Sequence, residues 1–253
     1  MMIVGIIAIM FIVGLLLGFV GAGGSGFIIS ILTTVFGFSI HTSLGTALAA
    51  MIFTSVSGSI SHYKEGNMLL KAGIPVGLFG AAGAWFGSAW SAWIPAGELK
   101  WMTAGILFLS ALLIWLRMIV IGRRKKDLRQ DDLPAGFHFW LRAAAVGLVS
   151  GVLSGLFGIG STPFIQLGLM FLLNFSFRRA AGTTMLVIIP IALSAGINDL
   201  RLGYLDLGLL FEVIAGTMSG AYLGAKFTKR LPPPFLRAGM IIVPILGALL
   251  LIV

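Results

Sequence analysis

Apolar residues run along the chain in long blocks, separated by short clusters of glycine, proline and charge. The first Asp, Glu, Lys or Arg is Lys64, and the intervals 72–97, 101–116, 143–177, 180–198, 213–225 and 238–253 contain none. A helix needs roughly 20 such residues to cross a hydrocarbon core of about 30 Å, so several of these blocks are long enough to span one. Placing boundaries at the breaks predicts five apolar segments in each half: 3–22, 24–38, 43–62, 70–94 and 99–121, then 138–158, 160–176, 180–198, 205–226 and 236–253. At 1.5 Å per residue, segment 24–38 reaches only about 22 Å, which predicts a re-entrant or half-membrane hairpin at the start of each half.

Shifting the sequence by 137 residues lays one half on the other without a gap. Gly14, Gly18, Gly21, Gly23, Gly45 and Gly66 then fall on Gly151, Gly155, Gly158, Gly160, Gly182 and Gly203, with Gly83 and Gly87 on Gly220 and Gly224. Residues 14–87 hold 15 glycines and 151–224 hold 12. Random placement would align about two of these pairs, against the eight found, which marks an internal repeat.

The charges orient the segments. If sides alternate at every break, 15 of the 17 Lys and Arg collect on one side and only Lys100 and Arg201 on the other. Fusing each short second segment with its predecessor spoils that bias, to 10 against 7. The positive-inside rule then makes the basic side cytoplasmic and puts both termini outside. Five passes per half make the halves antiparallel across the bilayer, the inverted-repeat plan of many secondary transporters. The expected fold is an all-α integral membrane protein of two inverted-topology repeats, each a glycine-broken hairpin of short helices followed by three transmembrane helices. Residues 1–121 and 137–253 form the repeats, and the basic stretch 122–136 is the cytoplasmic linker.

Composition narrows the function. With 58% hydrophobic and 10% charged residues, the chain lies far from the roughly 45–50% and about 25% of soluble domains. The net charge of +9 sits in short loops rather than in a basic stripe interleaved with aromatics, which argues against nucleic acid. There is no cysteine, so disulfides, thiolate metal sites and cysteine nucleophiles are excluded. No basic region precedes the first block, which reads as an uncleaved span.

The candidate chemistry lies at the breaks, Gly21-Ala22-Gly23-Gly24-Ser25-Gly26 and Gly158-Ile159-Gly160-Ser161-Thr162-Pro163. Non-helical backbone at membrane depth survives only when buried in protein or lining a wet cavity. Beyond each break a new helix offers unpaired N–H groups and a positive dipole end, and Ser25, Ser161 and Thr162 add hydroxyls, a set of donors suited to a compact oxyanion. Gly45-Thr46 and Gly182-Thr183 open the next helices at matching positions. Close helix packing is the competing explanation for all these glycines.

Two repeats, each with a Gly-x-Gly-rich break, an apolar run and a Gly-Thr near the start of the next helix, resemble the TauE/SafE sulfite exporter family, also called the TSUP permeases. The resemblance covers about Ile3 to Leu249. It implies a secondary transporter of sulfite, organosulfonates such as sulfoacetate, or a related sulfur-containing anion in a bacterial or archaeal plasma membrane. It places the family's glycine-rich motifs on Gly21, Gly23, Gly24, Gly158 and Gly160, and its Gly-Thr-Ser-like motif on Gly45, Thr46, Gly182 and Thr183. This sequence departs from the family pattern at Gly26-Phe27, where Val-Pro or Thr-Pro is common, and at Ser161, where a third glycine is common.

Glu212 is the one acidic residue well inside an apolar run, and such a group is a candidate for coupling transport to protons. Pairing with Arg201 or Lys226, or a place near the membrane surface, explains it equally. His62 and Asp199 match across the repeat and read as interfacial. Asn198, Ser57 and Ser194 read as helix-to-helix hydrogen bonders. The expected partners are a small anion, protons, lipid and a second copy of the chain in a homodimer. Neither a cofactor nor a metal is expected. A passive anion channel is the alternative function. An intramembrane serine hydrolase built on Ser25 lacks a convincing base.

Overall fold

The computed structural model describes residues 2–20, 25–122, 136–159, 161–228 and 233–252. They form ten helices: α1 Met2–Val20, α2 Ser25–Thr34, α3 Ile40–Lys64, α4 Leu70–Ser91, α5 Ala96–Gly122, α6 Phe137–Phe157, α7 Thr162–Leu172, α8 Phe177–Arg201, α9 Leu207–Thr228 and α10 Pro233–Ile252. Among the described residues, five are long and apolar enough to cross a membrane by length and composition: those within α3, α4, α5, α6 and α8. The first helix of each hairpin is long, with 19 residues in α1 and 21 in α6. Only α2 and α7 are short, at 10 and 11 residues. Each spans roughly 15 Å, about half a hydrocarbon core.

The offset seen in the sequence sets the architecture. Helices α2, α3, α4 and α5 begin at 25, 40, 70 and 96, and α7, α8, α9 and α10 begin at 162, 177, 207 and 233, each 137 residues later. The turns repeat too. Gly66 and Gly203 take φ of 69° and 75° directly beyond α3 and α8. The following N–H groups, of Asn67 and Tyr204, donate to the His62 and Asp199 carbonyls at 3.0 and 2.8 Å. This 6→1 bond closes a helix on a left-handed glycine.

The halves interlock crosswise. Helix α1 packs on α9, and α4 packs on α6 and α8. Glycines spaced four apart form one face of a helix, and Gly147, Gly151 and Gly155 of α6 lie against the backbone of α4 at Val76, Gly80 and Ala84. Gly216 and Gly220 of α9 meet α1 at Ile7 and Phe11 in the same manner. At the centre, Gly45 of α3 abuts Asp199 and Tyr204, while Gly182 of α8 abuts His62 and Asn67. The start of each helix therefore lies beside the end of the other, and α3 and α8 run antiparallel.

Outward faces are apolar. Leu78, Phe86, Phe211 and Val149 are exposed, and Trp90, Trp93 and Trp101 are exposed around the α4–α5 turn. Tryptophan at helix ends fits a membrane-water interface.

Candidate anion-binding site

Ser25 opens α2 and is fully buried, and its hydroxyl has no hydrogen-bond partner among the described residues. It borders a cavity of about 30 Å³. Thr54 of α3 and Thr217 of α9 supply the other polar wall, while Ile28, Ala50 and Met51 close the apolar side against Gly14 and Ala221. The two threonines already donate to their own helices, Thr54 to the Met51 carbonyl at 3.1 Å and Thr217 to the Val213 carbonyl at 2.6 Å. Among the described residues that leaves the Ser25 hydroxyl without a partner, at the positive end of the α2 dipole. The space is enough for a few waters.

The second half carries different side chains at the equivalent positions. A shift of 137 turns Ala50, Met51 and Thr54 into Val187, Ile188 and Ile191, all fully buried. Ser25 becomes Thr162, which is also buried and whose hydroxyl is also unpartnered. Branched aliphatic side chains stand where the first half has Ala50, the unbranched Met51 and the polar Thr54. At the second break Gly158 has φ of 63° and caps α6, its N–H donating to the Ser154 carbonyl at 2.8 Å. A Cβ there would lie 3.1 Å from Ile29 and 3.2 Å from the Leu44 backbone, so this tip is seated on α2 and α3 of the other half. Ser161 precedes α7 with φ of 43°, in the left-handed region that glycine favours. None of Gly158, Ser161 and Thr162 lines the cavity beside Ser25. Gly21, Gly23, Gly24 and Gly160 lie outside the described residues.

The two Gly-Thr pairs separate in role. Gly45 and Gly182 hold α3 and α8 close at opposite ends of their crossing. Thr183 accepts the Leu69 N–H at 3.2 Å, satisfying a donor at the start of α4. Thr46 is buried with its hydroxyl unpartnered, one turn before Ala50 on the helical stripe that continues to Thr54. Of the four residues, Thr46 alone shares a helix stripe with the cavity.

Sequence reasoning gave no role to Ser88, Thr54 or Thr217 and put Asp199 at the interface. Asp199, two residues from the end of α8, is buried against α4 and only 3% exposed. The Ser88 hydroxyl donates to one carboxylate oxygen, and the Asn198 amide donates to Ser88 Oγ at 3.2 Å. The other carboxylate oxygen, Oδ2, is buried without a partner among the described residues. The available signal was Gly87-Ser88 in an otherwise apolar helix. Glu212 is half-buried on α9. Arg201 is not its partner: the guanidinium lies over the Trp85 ring, 5.1 Å from the centroid. Among the described residues no group of three His, Asp or Glu is placed to hold a metal ion.

A family profile described as sulfite exporter TauE/SafE matches residues 6–251. The chain is 50% identical over 247 residues to a probable membrane transporter protein, YdhB, of Bacillus subtilis (strain 168), covering 98% of this chain and 99% of that protein. It is 25% identical over 221 residues to a probable membrane transporter protein of Xylella fastidiosa (strain Temecula1), with 87% and 82% covered. A third relative, probable membrane transporter protein YjnA of Bacillus subtilis (strain 168), is 26% identical over 249 residues, with 95% and 97% covered. No solved structure matches the chain.

Proposed function

The chain belongs to the sulfite exporter TauE/SafE family and is a multi-pass membrane transporter, and on that premise we propose that it carries sulfite, an organosulfonate such as sulfoacetate, or a related sulfur-containing anion out of the cell across the plasma membrane. The observation that carries the reading is the cavity at the start of α2, where a buried serine hydroxyl without a partner among the described residues sits at a helix N-terminus in an apolar wall. Such a helix start binds compact oxyanions without requiring a full opposite charge.

The antiparallel pairing of α3 with α8 and the half-length helices α2 and α7 support an inverted-repeat carrier whose helix ends meet the cargo at membrane depth. In this reading the anion enters as α2 parts from its neighbours. Alternating access supplies such a movement, whereas a standing channel would need a continuous wet path. The test is counterflow in proteoliposomes with sulfite, sulfate, sulfoacetate and taurine. Saturable exchange of at least one sulfur anion is expected, and no exchange of any of them would sink the proposal. Rejection of zwitterionic taurine would show that the site reads net negative charge.

A further inference from the structure

We propose that Asp199 is the proton-carrying carboxylate of this transporter, binding a proton at Oδ2 from one aqueous side and releasing it to the other. The inference rests on the transporter reading but concerns a residue that reading does not use. Asp199 is buried, one oxygen takes the Ser88 hydroxyl, and the other has no partner among the described residues. An ionised carboxylate so placed needs a cation, water or a proton, because desolvating its charge is expensive.

No described cation answers that need. Arg201, two residues on, turns to the Trp85 ring. On α3, His41 stacks on Tyr204 with centroids 4.8 Å apart and places Nε2 3.0 Å from the Ser91 carbonyl. In the loop beyond Tyr204, Asp206 accepts the Leu209 N–H at 3.1 Å. Glu98 and Lys100 belong to the start of α5, and Lys71 to the far end of α4. His138 and Arg142 belong to the far end of α6, and α7 carries no ionisable side chain. None of these groups touches Asp199.

Its location suits coupling. The Asp199 Cβ lies against Gly45, where α3 crosses α8, one residue from Thr46 and the stripe leading to the cavity. The neighbouring Leu44 bears on Gly158 at the tip of the second break. Neutral Asp199 lets α3, α4 and α8 close dry over the carboxyl. Ionised Asp199 draws water into the crossing and loosens it, so proton binding and the position of α3 are linked. The proton adds to Oδ2 as an O–H bond and leaves by the same bond breaking, with no other reactant.

Infrared difference spectra of the purified protein across a pH titration test proton binding without any substrate. A carboxylic C=O band that shifts in D₂O is expected for the wild type and for Glu212→Gln, and its loss is expected in Asp199→Asn. Persistence of that band in Asp199→Asn, or its loss in Glu212→Gln, overturns the assignment. Should Asp199→Asn fail to fold, Ser88→Ala takes its place. It must move the midpoint of the band, and an unmoved midpoint is contrary. In proteoliposomes, Asp199→Asn should lose roughly tenfold of pH-gradient-driven sulfite flux while keeping sulfite counterflow. Unchanged gradient-driven flux, or a wild type driven by sodium instead, also overturns it. If the wild type moves no sulfur anion, the transport reading fails while the infrared result still decides the proton site.

Discussion

Replacing Gly216 by alanine measures how tightly the two halves are locked. A Cβ at Gly216 would stand 2.6 Å from the Ile7 carbonyl oxygen, 2.7 Å from Met10 Cβ and 3.0 Å from the Phe11 nitrogen. Carbon atoms pack best at about 3.5–4.0 Å, so α1 and α9 must separate by roughly 1 Å, a gap that forfeits up to about half of each contact's attraction. Overpacking of this kind costs about 1–3 kcal/mol, and backbone obstacles with a Cβ favour the upper end. Alanine returns about 1 kcal/mol of helix propensity, leaving a net loss of about 2 kcal/mol. For a chain of this size that lowers Tm by about 4–8 °C. The six tryptophans allow unfolding in detergent to be followed by intrinsic fluorescence. Gly196→Ala on α8 is the control, since a Cβ there meets nothing within 4 Å; its Tm should hold or rise. Equal Tm values for Gly216→Ala and Gly196→Ala would refute the argument that close approach, rather than glycine content, holds α1 on α9.

Ser161→Gly should stabilise by about 0.5–1 kcal/mol, because relief of a left-handed backbone, about 1–2 kcal/mol, exceeds the added unfolded-state entropy; a lower Tm would contradict the strain. Ser25→Ala should raise the Tm of the anion-free protein by removing an unpartnered buried hydroxyl, yet reduce sulfite-induced stabilisation. The lost bond to a charged ligand is about 1.5–3 kcal/mol, or roughly ten- to a hundredfold in affinity. Undiminished stabilisation would remove Ser25 from the site. Cysteines introduced at Lys125 and Gly97 into this cysteine-free chain should label from opposite faces of sealed vesicles; labelling from one face would break the alternating topology.

The five segments per half were legible because glycine, proline and charge punctuate membrane helices strongly, and the 137-residue offset reappears in four pairs of helix starts. Gly66 and Gly203 were visible as a repeat pair, and their left-handed turns explain the match. The burial of Asp199 was not legible. It depends on Gly87 and its neighbours letting α4 approach α6 and α8, a tertiary effect that places Ser88 on the carboxylate. The cavity was half legible: the helix start at Ser25 was foreseen, but its walls at Thr54 and Thr217 come from helices distant in sequence. How the two halves differ in lining depended on comparing side chains at paired positions, not on the glycine motif they share. The structural partner of the Gly-Thr pair in the second half was not visible either, since Thr183 accepts the N–H of Leu69 from a distant helix start.

The crosswise seating of α1 on α9 and α4 on α6 bears on how the protein is made. As the ribosome delivers the chain, α1 and α4 reach the bilayer with their mates still unsynthesised, and their bare backbone tracks face lipid or the insertion machinery until the later segments arrive. Neither half then has its packing partners to itself, although each contributes five helices. A gene split at the linker would yield stable product only when both pieces are made in the same membrane.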